Sequence, residues 1–265
     1  MKKVLLPLSI LAIASLNLSA QELHPVSGEP LKYCGITEAM QELYKKHPDI
    51  KAIAETIEQE QAQKTNPEAA SGAVYVIPVV VHVLHNYGAE NISEAQIKDA
   101  ISILTRDFRK QNADTALVVT AFENLIADCE VEFKLAQLDP SGNCTNGIDR
   151  IVTQLTYNAN DNSKLNQWPR NKYLNIWTVA SIGIASGAAG YTYYPSSTVA
   201  NPAIDGIVIL HGYFGSIGTG SPVTSRANTH EVGHWSNLQH CWGNTNQPGV
   251  SCGDDLVSDT PITMG

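Results

Sequence analysis

The sequence predicts a mixed α/β domain, and three stretches carry that prediction. The β-branched run VYVIPVVVHVLH has the composition of a buried strand. SEAQIKDAISILTRDFRKQN follows it, with Ile97, Ile101, Leu104 and Phe108 at helical spacing behind Ser93, a good N-cap. Further strand-like segments then lead into a second helix, and this order of strand, helix, strands, helix suits an α+β arrangement on one sheet.

The elements read as follows from the N-terminus. MKKVLLPLSILAIASLNLSA has two lysines, an apolar run from Val4 to Leu16 and a small-residue end, which is the pattern of a signal peptide over residues 1–20. The run is short for a membrane span, and no other stretch is long and apolar enough for one, so stable membrane insertion is not expected after signal removal and the mature chain is expected to be secreted. Residues 21–72 are polar and helix-prone, rich in Glu, Gln, Lys and Ala, and end in the linker-like TNPEAASG. Two readings of this region stand: a helical arm packed on the main domain, or a removable pro-segment with its cleavage site within 58–72.

The main domain begins at residue 73. After its first strand and helix, VEFKLAQLD, YLNIWTVAS, GYTYYP and DGIVILHGYFG read as strands separated by Gly- and Pro-containing loops. THEVGHWSNLQH then reads as a helix. A chain of 265 residues can hold one large core or two small ones, and a net charge of −9 argues against a nucleic-acid partner. Export permits disulfides. Cys129 and Cys144 flank VEFKLAQLDP and are placed to pair across it, Cys241 and Cys252 flank a polar loop and are also placed to pair, and Cys34 is left single.

The densest chemistry lies in THEVGHWSNLQHCWG, with three of the chain's eight histidines and a glutamate within eleven positions. His230 and His234 are i and i+4, on one helical face, where both imidazoles reach one ion. Glu231 lies beside such an ion, in position to act as a general base toward water. His240 supplies a third ligand if the helix stops sharply after His234, and Asn237 sits at that turn, because Asn tolerates the left-handed region best after Gly. Three protein ligands and one open position are what a catalytic zinc requires. His82 and His85, on opposite faces of a strand, and His211, in another predicted strand, read as structural. Trp235 and Trp242 read as packing residues.

HExxHxxNxxH resembles the metzincin zinc endopeptidases, and within them the pappalysin (cytophagalysin) family. IPVVVHVLH, TNGIDR, NKYLNIWTVA, DGIVILHGYFG and CGDDLVSDTP resemble that family's segments in order. The resemblance implies a twisted mixed sheet above a cleft, two long helices of which the metal helix forms the cleft floor, and a lower C-terminal subdomain beneath. It implies that an antiparallel edge strand, best matched by Gly190, Tyr191, Thr192 and Tyr193, binds extended protein or peptide substrates by β-augmentation. It gives Cys34, in KYCG, the role of a cysteine switch filling the open zinc position. It also suggests calcium at Asp254, Asp255 and Asp259, an oxygen-rich loop.

The family's methionine turn and nearby tyrosine are not visible here. Met264 has one residue after it, so the 73–265 catalytic domain is expected to be incomplete at its C-terminus and weakly active by itself. The leading function is a secreted zinc metalloendopeptidase. The alternative is a catalytically weak scaffold that binds peptides or acts in adhesion.

Overall fold

The structure is a computed structural model that describes residues 33–62, 72–185, 187–243, 252–257 and 260–264, all within one compact unit, Lys32–Gly265. The expected signal peptide lies outside the described residues, as do Asp259 and most of the expected pro-segment linker.

Two short elements open the described chain. Strand β1 (Tyr33–Cys34) leads into helix α1 (Ile36–Lys46), and a single residue, His47, joins α1 to α2 (Pro48–Ala62). Helix α1 buries Ile36, Ala39, Met40 and Leu43, one stripe at i, i+3, i+4 and i+7. The helix-prone region is thus a packed arm, and α2 runs through the first part of the expected 58–72 linker.

The main sheet is built on β2 (Tyr75–His85), the β-branched run. β5 (Leu174–Val179) lies along one side of β2. β3 (Val131–Leu135) and β4 (Ile148–Val152) lie end to end along the other. β7 (Ile207–Leu210) extends the sheet beyond β5, and β6 (Ala188–Tyr191) follows β7. All of these are parallel to β2 except β6, which is antiparallel to β7. β4 was not among the expected strands. Its IDRIV pattern is short and only half-buried, so its period is weak.

Strand alternation gives the sheet two apolar faces. Val79, Val81, Val83, Ile176, Ile207 and Ile209 point to one, where α3 (Glu94–Phe108) and α5 (Ala227–Trp235) contribute Ile97, Leu104 and Val232. Leu84, Trp177, Val179, Val208 and Leu210 point to the other face and belong to the cluster that α1 completes. His82 is fully buried on this second face. Its Nε2 lies 3.0 Å from Asn175 Oδ1, its Nδ1 lies 3.1 Å from Asp149 Oδ2, and its ring stacks on Trp177. His211 occupies the turn after β7 rather than a strand, and its Nδ1 lies 3.0 Å from Thr219 Oγ1.

Helix α3 fixes the approach to α5, which is only nine residues long. Ser93 Oγ accepts the Gln96 amide and caps α3. The Gln96 side-chain amide donates to the carbonyls of His211 and Phe214 and accepts from Thr219 N. Asp99 accepts from Ser216 N and Oγ, and Asp107 accepts from Thr229 Oγ1 at 2.7 Å. Polar side chains of α3 therefore hold the loop that enters α5 and the first turn of α5 itself.

Two expectations are corrected here. The strand of GYTYYP ends at Tyr191, so Thr192 and Tyr193 lie beyond it, and a short helix, α4 (Pro195–Ala200), starts at Pro195. Pro195 sits in the first turn of α4, where a missing N–H costs nothing. Nor is β6 the edge of the sheet. β1 pairs with it in parallel, Cys34 opposite Gly190, and occupies the edge. The Cys129–Cys144 pair is the second correction, since both are free thiols, while the expected Cys241–Cys252 pair rests on Cys252, whose side chain lies outside the described ones. Cys129 precedes β3, and Cys144 bridges Leu138 beyond its far end. A five-residue strand at about 3.3 Å per residue holds the two cysteines too far apart for the roughly 4–7 Å Cα separation of a disulfide.

Candidate metal centre

α5 carries His230, Glu231 and His234, and it stops at Trp235. Asn237 takes φ +74°. Leu238 N donates to Gly233 O and Asn237 N to His234 O, both at 2.9 Å. These are the two hydrogen bonds of a Schellman ending with Asn237 in the left-handed position. The chain then reverses and brings His240 back over the last turn of the helix.

The three Nε2 atoms converge. His230 and His234 are 2.9 Å apart, His234 and His240 3.1 Å, and His230 and His240 3.2 Å. Zinc with Zn–N bonds of about 2.0–2.1 Å and tetrahedral angles spaces its nitrogens about 3.3 Å apart, so this donor set fits that ion. His234 Nδ1 donates to Leu238 O at 2.7 Å, which leaves the Nε2 lone pair free to face the cluster. The same turn that returns His240 therefore also sets the tautomer of His234. Trp242 stacks on His240 with centroids 4.7 Å apart, and Tyr194 meets His234 edge-on. Burial, reinforced by neighbouring His230, pushes His234 down to about 3 and His240 down to about 4. Both rings are then neutral at pH 7, as metal ligands must be.

Cys34 completes the group. Its Sγ and the three imidazole nitrogens all lie within 4.8 Å of one another, and among the described residues this is the one set of His, Cys, Asp and Glu atoms close enough to share an ion. Burial, and then the Glu231 carboxylate, pushes the Cys34 thiol well up, and the thiol donates a hydrogen bond to Glu231. A cation at the imidazoles reverses that balance, because a coordinated thiol is deprotonated.

Glu231 is 1% exposed, and burial pushes its carboxyl up to about 8. Its Oε2 has no hydrogen-bond partner. Gly190 makes its position possible: a Cβ there would lie 3.0–3.2 Å from Glu231 Cγ, Oε1 and Cδ. The role of Gly190 as a cradle for this carboxylate was not legible in the sequence, because it depends on α5 crossing beneath β6.

β6 is itself anchored from behind. Tyr191 and Tyr193 hydroxyls donate to the two oxygens of Asp161, at 3.2 and 2.8 Å. Lys164 Nζ lies 3.3 Å from Asp161, donates to Ile204 O, and sits over both tyrosine rings. Asp254 and Asp255 each accept a backbone amide, from Leu256 and Val257.

The Asn237 turn yields a first prediction. Asn237→Gly retains zinc and raises the melting temperature slightly, because Gly takes φ +74° without strain. Asn237→Val costs about 1–2 kcal/mol from its branched Cβ in that region and weakens zinc binding by moving His240. Thermal melts and a zinc titration of both variants check this.

Comparison with known proteins agrees with this geometry. The peptidase M43 family model, described as pregnancy-associated plasma protein-A, matches residues 157–265. An extracellular metalloprotease of Pyricularia oryzae is 27% identical over 234 residues, 86% of this chain and 69% of that protein. Extracellular metalloprotease 1 of Coccidioides posadasii is 37% identical over 92 residues, 33% of this chain and 30% of its own length. Among solved structures, a mutant of Tannerella forsythia promirolysin superposes with a TM-score of 0.76 at 37% identity, over 88% of this chain and 77% of that one. Mature mirolysin in complex with a cleaved peptide gives 0.67 at 42% identity, over 73% and 74% of the two chains.

Proposed function

The chain belongs to the pappalysin family of metzincin peptidases, and from that premise we propose that it is exported as a latent zinc endopeptidase closed by its own Cys34. Its relatives are named extracellular metalloproteases. Among the described residues no helix is long and apolar enough to cross a membrane. The observation that carries the reading is the convergence of three imidazoles and one thiol on a point beside buried Glu231.

His230, His234 and His240 would hold zinc through Nε2. The ion, when bound, supplies Lewis acidity, making water acidic near pH 7 and stabilising negative charge on the scissile carbonyl. Glu231 takes a proton from the attacking water and delivers it to the departing amine. Burial shields the Glu231 carboxyl from bulk solvent. In the latent form Cys34 would fill the fourth position beside Glu231, so one residue would keep water from both the ion and the base.

The substrate class follows from β6. β1 takes the hydrogen bonds along its outer edge, with Gly35 N donating to Gly190 O at 2.9 Å. When β1 leaves, the same edge pairs with an extended peptide, largely independently of side-chain sequence. The peptide-binding scaffold without catalysis is the weaker reading, because Glu231 is in place and the relatives are named proteases. For the acidic loop of Asp254, Asp255 and Asp259, calcium is supported by oxygen-rich composition and the family resemblance, and Asp259 lies outside the described residues.

The test is cleavage of casein after proteolytic removal of residues up to 72. 1,10-Phenanthroline is expected to stop cleavage and one equivalent of zinc to restore it. Cleavage indifferent to chelation contradicts the reading.

A further inference from the structure

We infer that the α1–α2 arm is a ligand of the catalytic body in its own right: it stays bound, and the metal centre stays covered, after the chain is cut between residues 63 and 71. The inference rests on the latent-enzyme reading and changes its trigger, because severing the linker does not by itself open the site.

Most of what holds the arm is remote from the thiol. Ile36, Met40 and Leu43 of α1 and Ile50 of α2 lie in one apolar cluster with Tyr191, Tyr193, Ile182 and Ile204 of the body. An amphipathic helix seated by i, i+3, i+4 and i+7 side chains is a common mode of peptide docking. Polar contacts extend the interface onto α4. Tyr44 Oη and Ser197 Oγ are 3.0 Å apart, and Ser196 Oγ donates to Glu58 Oε1 at 2.8 Å. The entry of the arm into the sheet is fitted closely. A Cβ on Gly35 would lie 2.8 Å from the Cβ atoms of both Ala185 and Ala188. Cys34 is thus one contact in a surface that runs from the metal centre to Glu58 of α2.

The architecture also shows where the arm is vulnerable. The joint between α1 and α2 is exposed from Lys45 to Asp49. A cut there leaves two short helices, each with part of the surface, and the advantage of holding them together is lost. Release then follows destruction of the arm rather than cleavage of the linker.

The experiment places a site-specific protease sequence between residues 63 and 71 of the full chain. It cuts to completion and follows the pieces by size exclusion and native mass spectrometry at about 1 µM. Four samples are compared: the parent with zinc, the parent with EDTA, Cys34→Ser and Leu43→Ala. The expected result is co-elution of the arm with the body in the first three, and a dissociation constant at least about tenfold higher for Leu43→Ala. Separation of the arm in the EDTA and Cys34→Ser samples shows that the thiol alone holds it and overturns the inference. Separation in all four does the same. None of these readouts needs turnover, so a chain that proves to be no peptidase still gives a clear answer on retention.

Discussion

Glu231→Gln is expected to lower kcat/KM for peptide hydrolysis by about 10²–10⁴-fold while one zinc stays bound per chain. Gln has nearly the shape of Glu, so it keeps the close approach to Gly190 that a larger residue would lose. It has no oxygen able to take a proton from water, and the loss falls on the chemical step. Folding should not suffer. The carboxyl is buried, and burial pushes it up to about 8, so between the ordinary carboxylate range and pH 8 the native state holds a proton that the unfolded chain releases, which costs stability. That cost is absent below the unfolded-state value and grows as pH rises toward 8. In the metal-free chain a neutral amide removes it, so the melting temperature at pH 7 should hold or rise. Steady-state kinetics on a quenched fluorescent peptide, zinc content and thermal melts of both proteins, with and without zinc, separate these effects. A Glu231→Gln chain that keeps its turnover would remove Glu231 from the mechanism.

Much of this arrangement could be read from local pattern. Ser93 and the Ile97, Ile101, Leu104 stripe define α3 because capping and a 3.6-residue period are local. The spacing of His230, His234 and His240 describes the site, and the need to turn back explains an asparagine at φ +74°. Nonlocal features were not legible. β1 is two residues long, too short for any period, and only its pairing with Gly190 shows that it covers β6. Gln96, Asp99 and Asp107 look like the solvent face of an amphipathic helix, yet they tie α3 to the loop before α5 and to its first turn. Cys129 and Cys144 are near in sequence but lie on either side of an extended strand, and sequence distance alone does not reveal that. Tyr191 and Tyr193 read as strand residues, while their hydroxyls meet on Asp161 from an unrelated loop.

Replacing His240 by Ala is expected to weaken zinc binding by roughly 10²–10³-fold. A four-ligand zinc site contributes about 10–16 kcal/mol, or about 2.5–4 kcal/mol per ligand, and each 1.4 kcal/mol is a factor of ten. The same loss should follow from His234→Ala, whose Nδ1 bond to Leu238 O makes it the most firmly oriented of the three rings. Cys34→Ala should cost less, since water takes the vacated position.

The decisive measurement is zinc-edge X-ray absorption on the intact chain. The expected shell is one sulfur at about 2.3 Å and three nitrogens at about 2.0–2.1 Å, with the sulfur lost in Cys34→Ala and a light atom in its place. A shell with no sulfur, or one unchanged by His240→Ala, would contradict the claim that Cys34, His230, His234 and His240 close around one ion.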